Sequence, residues 1–104
     1  MAKVVRDGKV AVLYSPGYGA GWSTWESRIP SEVMLFSPRI VAWVEGGKRE
    51  PQEYILKEVF GENTPYSGGM EDLEIEWLPE GTSFDIDEYD GFESVRVAPT
   101  TFEA

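Results

Sequence analysis

Residues 9–14 read KVAVLY, and the expected arrangement of the other elements follows from this segment. It is apolar and rich in β-branched residues, a composition that is typical of a central β-strand. The dipeptide Asp7-Gly8 stands immediately before it. Because Asp-Gly favours a two-residue hairpin turn, the sequence predicts a short partner strand over residues 3–5 on the other side of that turn.

Two helices are predicted in the middle of the chain. Residues 37–47, SPRIVAWVEGG, begin with a serine suited to the N-cap and a proline suited to the first helical position, and Gly46 suits the helix end. Residues 51–60 have apolar residues four apart, which favours a second helix. The same letters partly alternate in twos, so a strand over 51–60 stays open.

The last third of the chain alternates between apolar and acidic residues with the two-residue period of half-buried strands. The stretches DLEIEWL, SFDIDEY and FESVRV are separated by the turn signals PEGT and Asp90-Gly91. The side chains predicted to face the core are Leu73, Ile75, Trp77, Phe84, Ile86, Val95 and Val97.

These patterns together predict an α+β fold in one domain over residues 1–104. An antiparallel β-sheet is formed by the N-terminal strand and a C-terminal β-meander. Two helices pack on its dry face, and its other face is wet and strongly acidic.

The sequence has no cysteine and no histidine. This excludes disulfides, Ser-His-Asp and Cys-His catalysis, and zinc sites built from cysteine and histidine. The acidic stretch 85–93 also fails the register of an EF-hand loop, because its sixth position is Asp90 instead of glycine. We therefore expect a protein that is not an enzyme and that uses no metal and no cofactor.

The N-terminal residues carry a charge every few positions, and their longest apolar run, residues 10–14, is too short for a signal peptide or a membrane span. The absence of cysteine fits a reducing compartment. We expect a soluble protein with a cytoplasmic location and no contact with a membrane.

The net negative charge is confined to one part of the chain. Residues 1–70 contain eight acidic and eight basic side chains, whereas residues 71–104, the acidic third, contain eleven acidic side chains and one arginine. Direct binding to nucleic acid is disfavoured, because phosphate contacts need clustered lysine and arginine. The acidic third is either a solvated face or a surface for a basic protein, including one that binds nucleic acid.

Residues 14–25, YSPGYGAGWSTW, form a glycine–aromatic segment without charge. Its glycines match neither the dinucleotide fingerprint nor the phosphate-loop pattern. Residues 23–26, STWE, fit a capping box, with Ser23 as N-cap and Glu26 three residues later. Two interpretations stay open: a binding loop whose rings are anchors for a partner, or a closure of the core by Trp22 and Trp25.

Two stretches, residues 10–25 with the glycine–aromatic segment and residues 68–95 with the EYDGFE hairpin, resemble small uncharacterised proteins encoded by tailed bacteriophages. The resemblance carries no activity and no catalytic residue. It implies a short phage gene product that acts in the cytoplasm of the bacterial host, in a group where small acidic proteins often inhibit host or defence factors.

The sequence thus favours a non-enzymatic phage accessory protein that binds and inhibits a bacterial host or defence factor. A protein that sequesters a nucleotide signal and a virion structural subunit stay open as alternatives, and so does a homo-oligomer. The side chains expected to bind the partner are Tyr14, Tyr18, Trp22, Trp25, Glu74, Glu76, Asp85 and Asp87. The rings would be hydrophobic anchors, and the carboxylates would steer a basic partner.

Overall fold

A computed structural model describes residues 2–17, 21–65, 68–98 and 101–104. Within these residues the chain forms three α-helices and two antiparallel sheets of three strands each, which confirms the α+β class. The helices are α1 (Ser31–Phe36), α2 (Pro38–Glu45) and α3 (Gln52–Phe60). The strands are β1 (Val5–Arg6), β2 (Lys9–Tyr14), β3 (Glu74–Pro79), β4 (Ser83–Tyr89), β5 (Phe92–Val97) and β6 (Phe102–Glu103).

The first sheet, sheet A, has the order β1-β2-β3, so β2 is central as predicted. The Asp7-Gly8 turn joins β1 to β2, and both of its residues have positive φ, at 53° and 75°. This is the geometry of a type I′ hairpin, which Asp-Gly adopts with little strain. The partner strand lies at Val5–Arg6, slightly later than the predicted residues 3–5.

The second sheet, sheet B, has the order β5-β4-β6. The Asp90-Gly91 turn closes the β4–β5 hairpin with φ values of 54° and 85°, which again confirms the predicted turn. The predicted single sheet is divided, because β3 pairs with β2 while β4 pairs with β5 and β6. The turn over residues 79–82, in which Gly81 has a φ of 88°, carries the chain from one sheet to the other.

Both faces of β2 are buried, and this arranges the chain in layers. Ala11 and Leu13 pack in a core with helices α2 and α3, whereas Val10 and Val12 pack in a second core with sheet B and α1. Since side chains alternate along a strand, one six-residue strand supplies both cores. Sheet A therefore lies between a helical layer and sheet B.

The predicted helix over residues 37–47 is confirmed as α2. The Ser37 hydroxyl accepts a hydrogen bond from the amide of Ile40 at 3.4 Å, and Gly46 is the C-cap. The segment 51–60 forms helix α3, which resolves the alternative left open by its sequence. Helix α1 was not predicted, because its six residues are too few to show a helical period.

One residue predicted to face the core does not. Val97 is 55% exposed, although Phe84 and Ile86 on the neighbouring strand are buried. Val97 is the last residue of β5, which is an edge strand, so it has a neighbouring strand only on the side of its register partner Phe84.

Candidate protein-binding surface

The buried carboxylate of Glu93 joins the β4–β5 hairpin to the glycine–aromatic segment. One carboxylate oxygen accepts a hydrogen bond from the amide of Ser15 at 2.9 Å. The other accepts from the amides of Trp22 at 2.7 Å and Thr24 at 3.1 Å, and from the Thr24 hydroxyl at 2.5 Å. The amide of Glu93 in turn donates to the carbonyl of Ser15 at 2.8 Å. We call this arrangement the Glu93 cap.

The Glu93 cap satisfies backbone donors that would otherwise be buried without a partner. Residues 23–25 form a short 3-10 helix, and its first amides point at the Glu93 carboxylate. A carboxylate at a helix N-terminus is stabilised by these amides, and hydrogen bonds to a charged group are stronger than neutral ones. Within the described residues, Glu93 forms no ion pair, so amide and hydroxyl groups alone hold it.

The capping box predicted over residues 23–26 is wrong. The N-cap of the 3-10 helix is Trp22, with Ser23 as the first helical residue, and Glu26 is the C-cap, whose carboxylate accepts from the amide of Arg28 at 2.6 Å. The amides at the start of this 3-10 helix are instead capped by Glu93, a residue predicted only to be part of a charged hairpin. Its position two residues before Val95, on the inward-facing side of β5, was the signal that could have identified it.

Trp22 is fully buried, so the prediction that it is an exposed anchor is wrong. Its ring lies in the core beneath the helices, and its indole N–H donates to the carbonyl of Met34 at 2.6 Å. The alternative interpretation, closure of the core, is the correct one for this residue. Trp25 differs, because 41% of it is exposed. Tyr18 lies outside the described residues.

The glycines near this segment permit close packing inside the molecule. A Cβ atom on Gly21 would lie 2.6 Å from the Trp25 ring, and one on Gly69 would lie 2.5 Å from the carbonyl oxygen of Gly21. A Cβ on Gly17 would collide with the Asp72 carboxylate. These glycines are therefore explained by internal contacts, without a ligand approaching the backbone.

Tyr14, Glu74 and Glu76 lie together on one face of the β2–β3 pair. Tyr14 is directly opposite Glu74 in the register, and its hydroxyl is 3.4 Å from the Glu74 carboxylate. Partial burial raises the pKa of the Tyr14 phenol, and the charges of Glu74 and Glu76 raise it further. Both glutamates are exposed, as predicted from the alternation along β3.

Asp85 and Asp87 lie on a different surface. They alternate with the buried Phe84 and Ile86, so they point away from sheet A on the outer face of sheet B. Asp87 forms an ion pair with Arg96 at 3.0 Å. Glu74 and Glu76 share the alternation of Leu78, whose side chain faces the core next to sheet B. The expectation of one continuous acidic face is therefore corrected to two separate acidic surfaces.

The acidic third keeps its charge at the surface, whereas the rest of the chain neutralises its own. Arg6 pairs with Glu45, and Arg39 lies between Glu50 and Glu58. These hydrogen bonds raise the pKa of both guanidinium groups, which stay charged. Nine of the eleven acidic residues of the acidic third are exposed: Glu71, Asp72, Glu74, Glu76, Glu80, Asp87, Glu88, Asp90 and Glu103.

A groove of about 560 Å³ lies beside the connection between α2 and α3. Its lining carries both signs of charge, with two basic and three acidic side chains: Lys48, Arg49, Glu50, Glu71 and Asp72. The Lys48 ammonium donates to the carbonyl of Glu71 at 2.5 Å. This mixed lining gives the groove no net preference for an anionic ligand.

The part of the chain that the structure describes contains no group of three or more acidic side chains arranged to hold a metal ion. In the same residues, no helix has the length and apolar character needed to cross a membrane. No known protein-family model matches the chain, and neither a curated protein sequence nor a solved structure matches it at a significant level.

Proposed function

We propose that this chain is a non-enzymatic binding protein whose acidic third binds a positively charged protein and blocks its function. The observation that carries the proposal is the segregation of charge. The net charge of −10 belongs entirely to residues 71–104. Among the described residues of this region, Arg96 and Asp87 form the one ion pair. In the setting that the bacteriophage resemblance implies, the partner is a bacterial host or defence factor.

Exposed carboxylates of this density act chiefly on the rate of association. They create a negative potential that attracts a basic surface over a Debye length of about 10 Å at 0.1 M salt. Steering of this kind raises the association rate constant, and it weakens as the salt concentration rises. Glu74 and Glu76 form no ion pair within the described residues, so their charges are available to a partner.

Two exposed aromatic side chains supply the apolar contacts that charge alone does not give. Trp25 is 41% exposed, and Tyr89 at the tip of the β4–β5 hairpin is 79% exposed. Exposed tryptophan and tyrosine are the residues most often found at the energetic centres of protein interfaces. With Trp22 in the core, the proposed anchors are Trp25 and, on the same strand as Asp85 and Asp87, Tyr89.

The proposal is tested by capture of partners from a bacterial lysate with the tagged protein, followed by affinity measurements on the purified candidate. We expect a basic protein whose Kd rises about tenfold or more between low and moderate salt, because the attraction is electrostatic. The double variant Glu74→Gln/Glu76→Gln is expected to weaken binding. The control Glu32→Gln removes an exposed charge outside the acidic third and should leave the affinity unchanged.

A Kd that does not depend on salt, or that is equal for the wild type and the double variant, would contradict the proposal. A bound small molecule in place of a protein would favour the nucleotide-sequestering alternative. Mass spectrometry of the captured material distinguishes these results.

A further inference from the structure

Strand β3 is an edge of sheet A, because it pairs with β2 and with no other described strand. The hydrogen bonds at its end show which backbone groups point outward. The amide of Glu80 donates to the carbonyl of Gly8 at 2.9 Å, so the even-numbered residues of β3 direct their backbone groups toward β2. The odd-numbered residues Ile75 and Trp77 therefore direct theirs away from the sheet.

These outward groups have no partner among the described residues. Neither the N–H nor the C=O of Ile75 or Trp77 forms a hydrogen bond to any residue in the ranges that the structure describes. Two donors and two acceptors thus lie in register along an edge that no described strand covers. An edge of this kind is a template for one more strand.

The side chains of β3 indicate which kind of strand would fit against its edge. Glu74 and Glu76 are exposed on one face, whereas Ile75 and Trp77 are half-buried against the core beneath the helices on the other. The Arg6 guanidinium lies over the Trp77 ring at 5.3 Å, on the helical side. An added strand would therefore meet two carboxylates on one face and an apolar border on the other.

We infer that the β3 edge binds an extended segment of a basic protein by strand addition. Basic side chains of that segment lie opposite Glu74 and Glu76, and apolar side chains lie opposite Ile75 and Trp77. Both glutamates occupy positions where an antiparallel strand makes no backbone hydrogen bonds, and there opposite residues approach most closely, with Cα atoms about 4.5 Å apart. This inference rests on the proposed function and specifies how the partner is bound.

The other long edge is a poorer template. On β5, the outward amide of Glu93 already donates to Ser15, and Arg96 is already paired with Asp87. A second copy of this chain is also disfavoured on the β3 edge, because antiparallel self-pairing would bring glutamates close to glutamates. A basic segment from another protein is the occupant that the charges favour.

The inference is tested with a blocked peptide of alternating lysine and valine, about six residues long, which is the usual length of a strand. We expect wild-type protein to bind this peptide and the amides of Ile75 and Trp77 to gain protection from hydrogen exchange. The double variant Glu74→Gln/Glu76→Gln should bind it about tenfold or more weakly. The control Glu32→Gln/Glu53→Gln also removes two exposed charges, but on helices α1 and α3 outside the acidic third, and should bind it within about twofold of wild type.

A second peptide, methylated on the backbone nitrogens that would pair with β3, keeps the charge and loses the donors. Loss of binding by this peptide supports strand addition. Equal binding of both peptides would overturn the inference while the proposed function stands. Equal weakening by the two double variants would show that the β3 edge is not the site. If neither the peptides nor any basic protein binds, the proposed function fails and this inference fails with it.

Discussion

The glycine–aromatic segment and the acidic third both stand out in the sequence as candidate surfaces, and the fold treats them differently. Trp22 in the first is fully buried, while most carboxylates of the second are exposed. The difference lies in the cost of burial. Aromatic rings are stabilised inside a protein, so their presence beside glycines does not show which way they face. Carboxylates are costly to bury, and Glu93 is buried only because four hydrogen bonds hold it.

The largest expected effect is a difference in the free energy of unfolding between alanine variants of two tryptophans in the same segment. Trp22→Ala removes a buried ring and the hydrogen bond to Met34, and we expect it to lower the free energy of unfolding by about 3–5 kcal/mol. Trp25→Ala removes a ring that is partly exposed, and we expect a loss below about 1 kcal/mol. Urea unfolding followed by circular dichroism measures both. Equal losses would mean that the segment is not divided into a buried and an exposed ring.

The next comparison uses one substitution at two carboxylates. Glu93→Gln replaces a hydrogen-bond acceptor by an amide group that faces the same donors, and should cost about 2 kcal/mol of stability. Glu76→Gln changes an exposed side chain, and its free energy of unfolding should stay within about 0.5 kcal/mol of wild type. A stability of Glu93→Gln equal to that of Glu76→Gln would show that the cap contributes little.

Gly69→Ala tests whether the glycines are needed because a Cβ atom would collide with neighbouring atoms. The backbone of Gly69, with φ −92° and ψ 3°, is open to any residue, so the cost comes from the contacts of the new Cβ with the Gly21 carbonyl and the Ser15 hydroxyl. We expect a loss of about 1–3 kcal/mol in the free energy of unfolding, typical of overpacking. Thermal unfolding of the variant would contradict this explanation if the midpoint did not fall.

The smallest effect concerns pH. The pKa of Tyr14 is raised in the folded protein above its ordinary value of 10.0, so the unfolded state releases this proton first. Its contribution to stability is complete below pH 10 and is lost as the pH rises through the raised pKa. The free energy of unfolding of Tyr14→Phe should therefore fall less steeply than that of wild type as the pH rises from 10 through the raised pKa. Identical pH profiles of the variant and the wild type would show that burial and the charges of Glu74 and Glu76 do not raise the pKa of Tyr14.

The elements predicted correctly from sequence are those with local signals. Strand β2 has its apolar residues in one run, both Asp-Gly turns carry their own conformational preference, and α2 begins at a serine followed by a proline. The alternation along β3 and β4 likewise assigned their faces, because side chains of neighbouring residues must point to opposite sides.

The features that were missed depend on contacts between distant parts of the chain. The hydrogen bonds of Glu93 reach residues 69 to 78 positions away, and no local pattern encodes them. The division into two sheets depends on β3 pairing with β2 instead of β4, and hydrophobic alternation is the same for either neighbour. The candidate site was therefore predicted in its charges and not in its geometry.

The position of Glu93 late in the chain also has a consequence for synthesis. A ribosome adds about 5–20 residues per second, so β2 emerges several seconds before β3 and Glu93. Until then β2 has two apolar faces and an unpaired edge, and the amides of residues 15, 22 and 24 have no carboxylate to receive them. A chain interrupted before β3 therefore leaves one edge of the central strand unpaired and the face toward sheet B uncovered, and unpaired apolar edges promote aggregation.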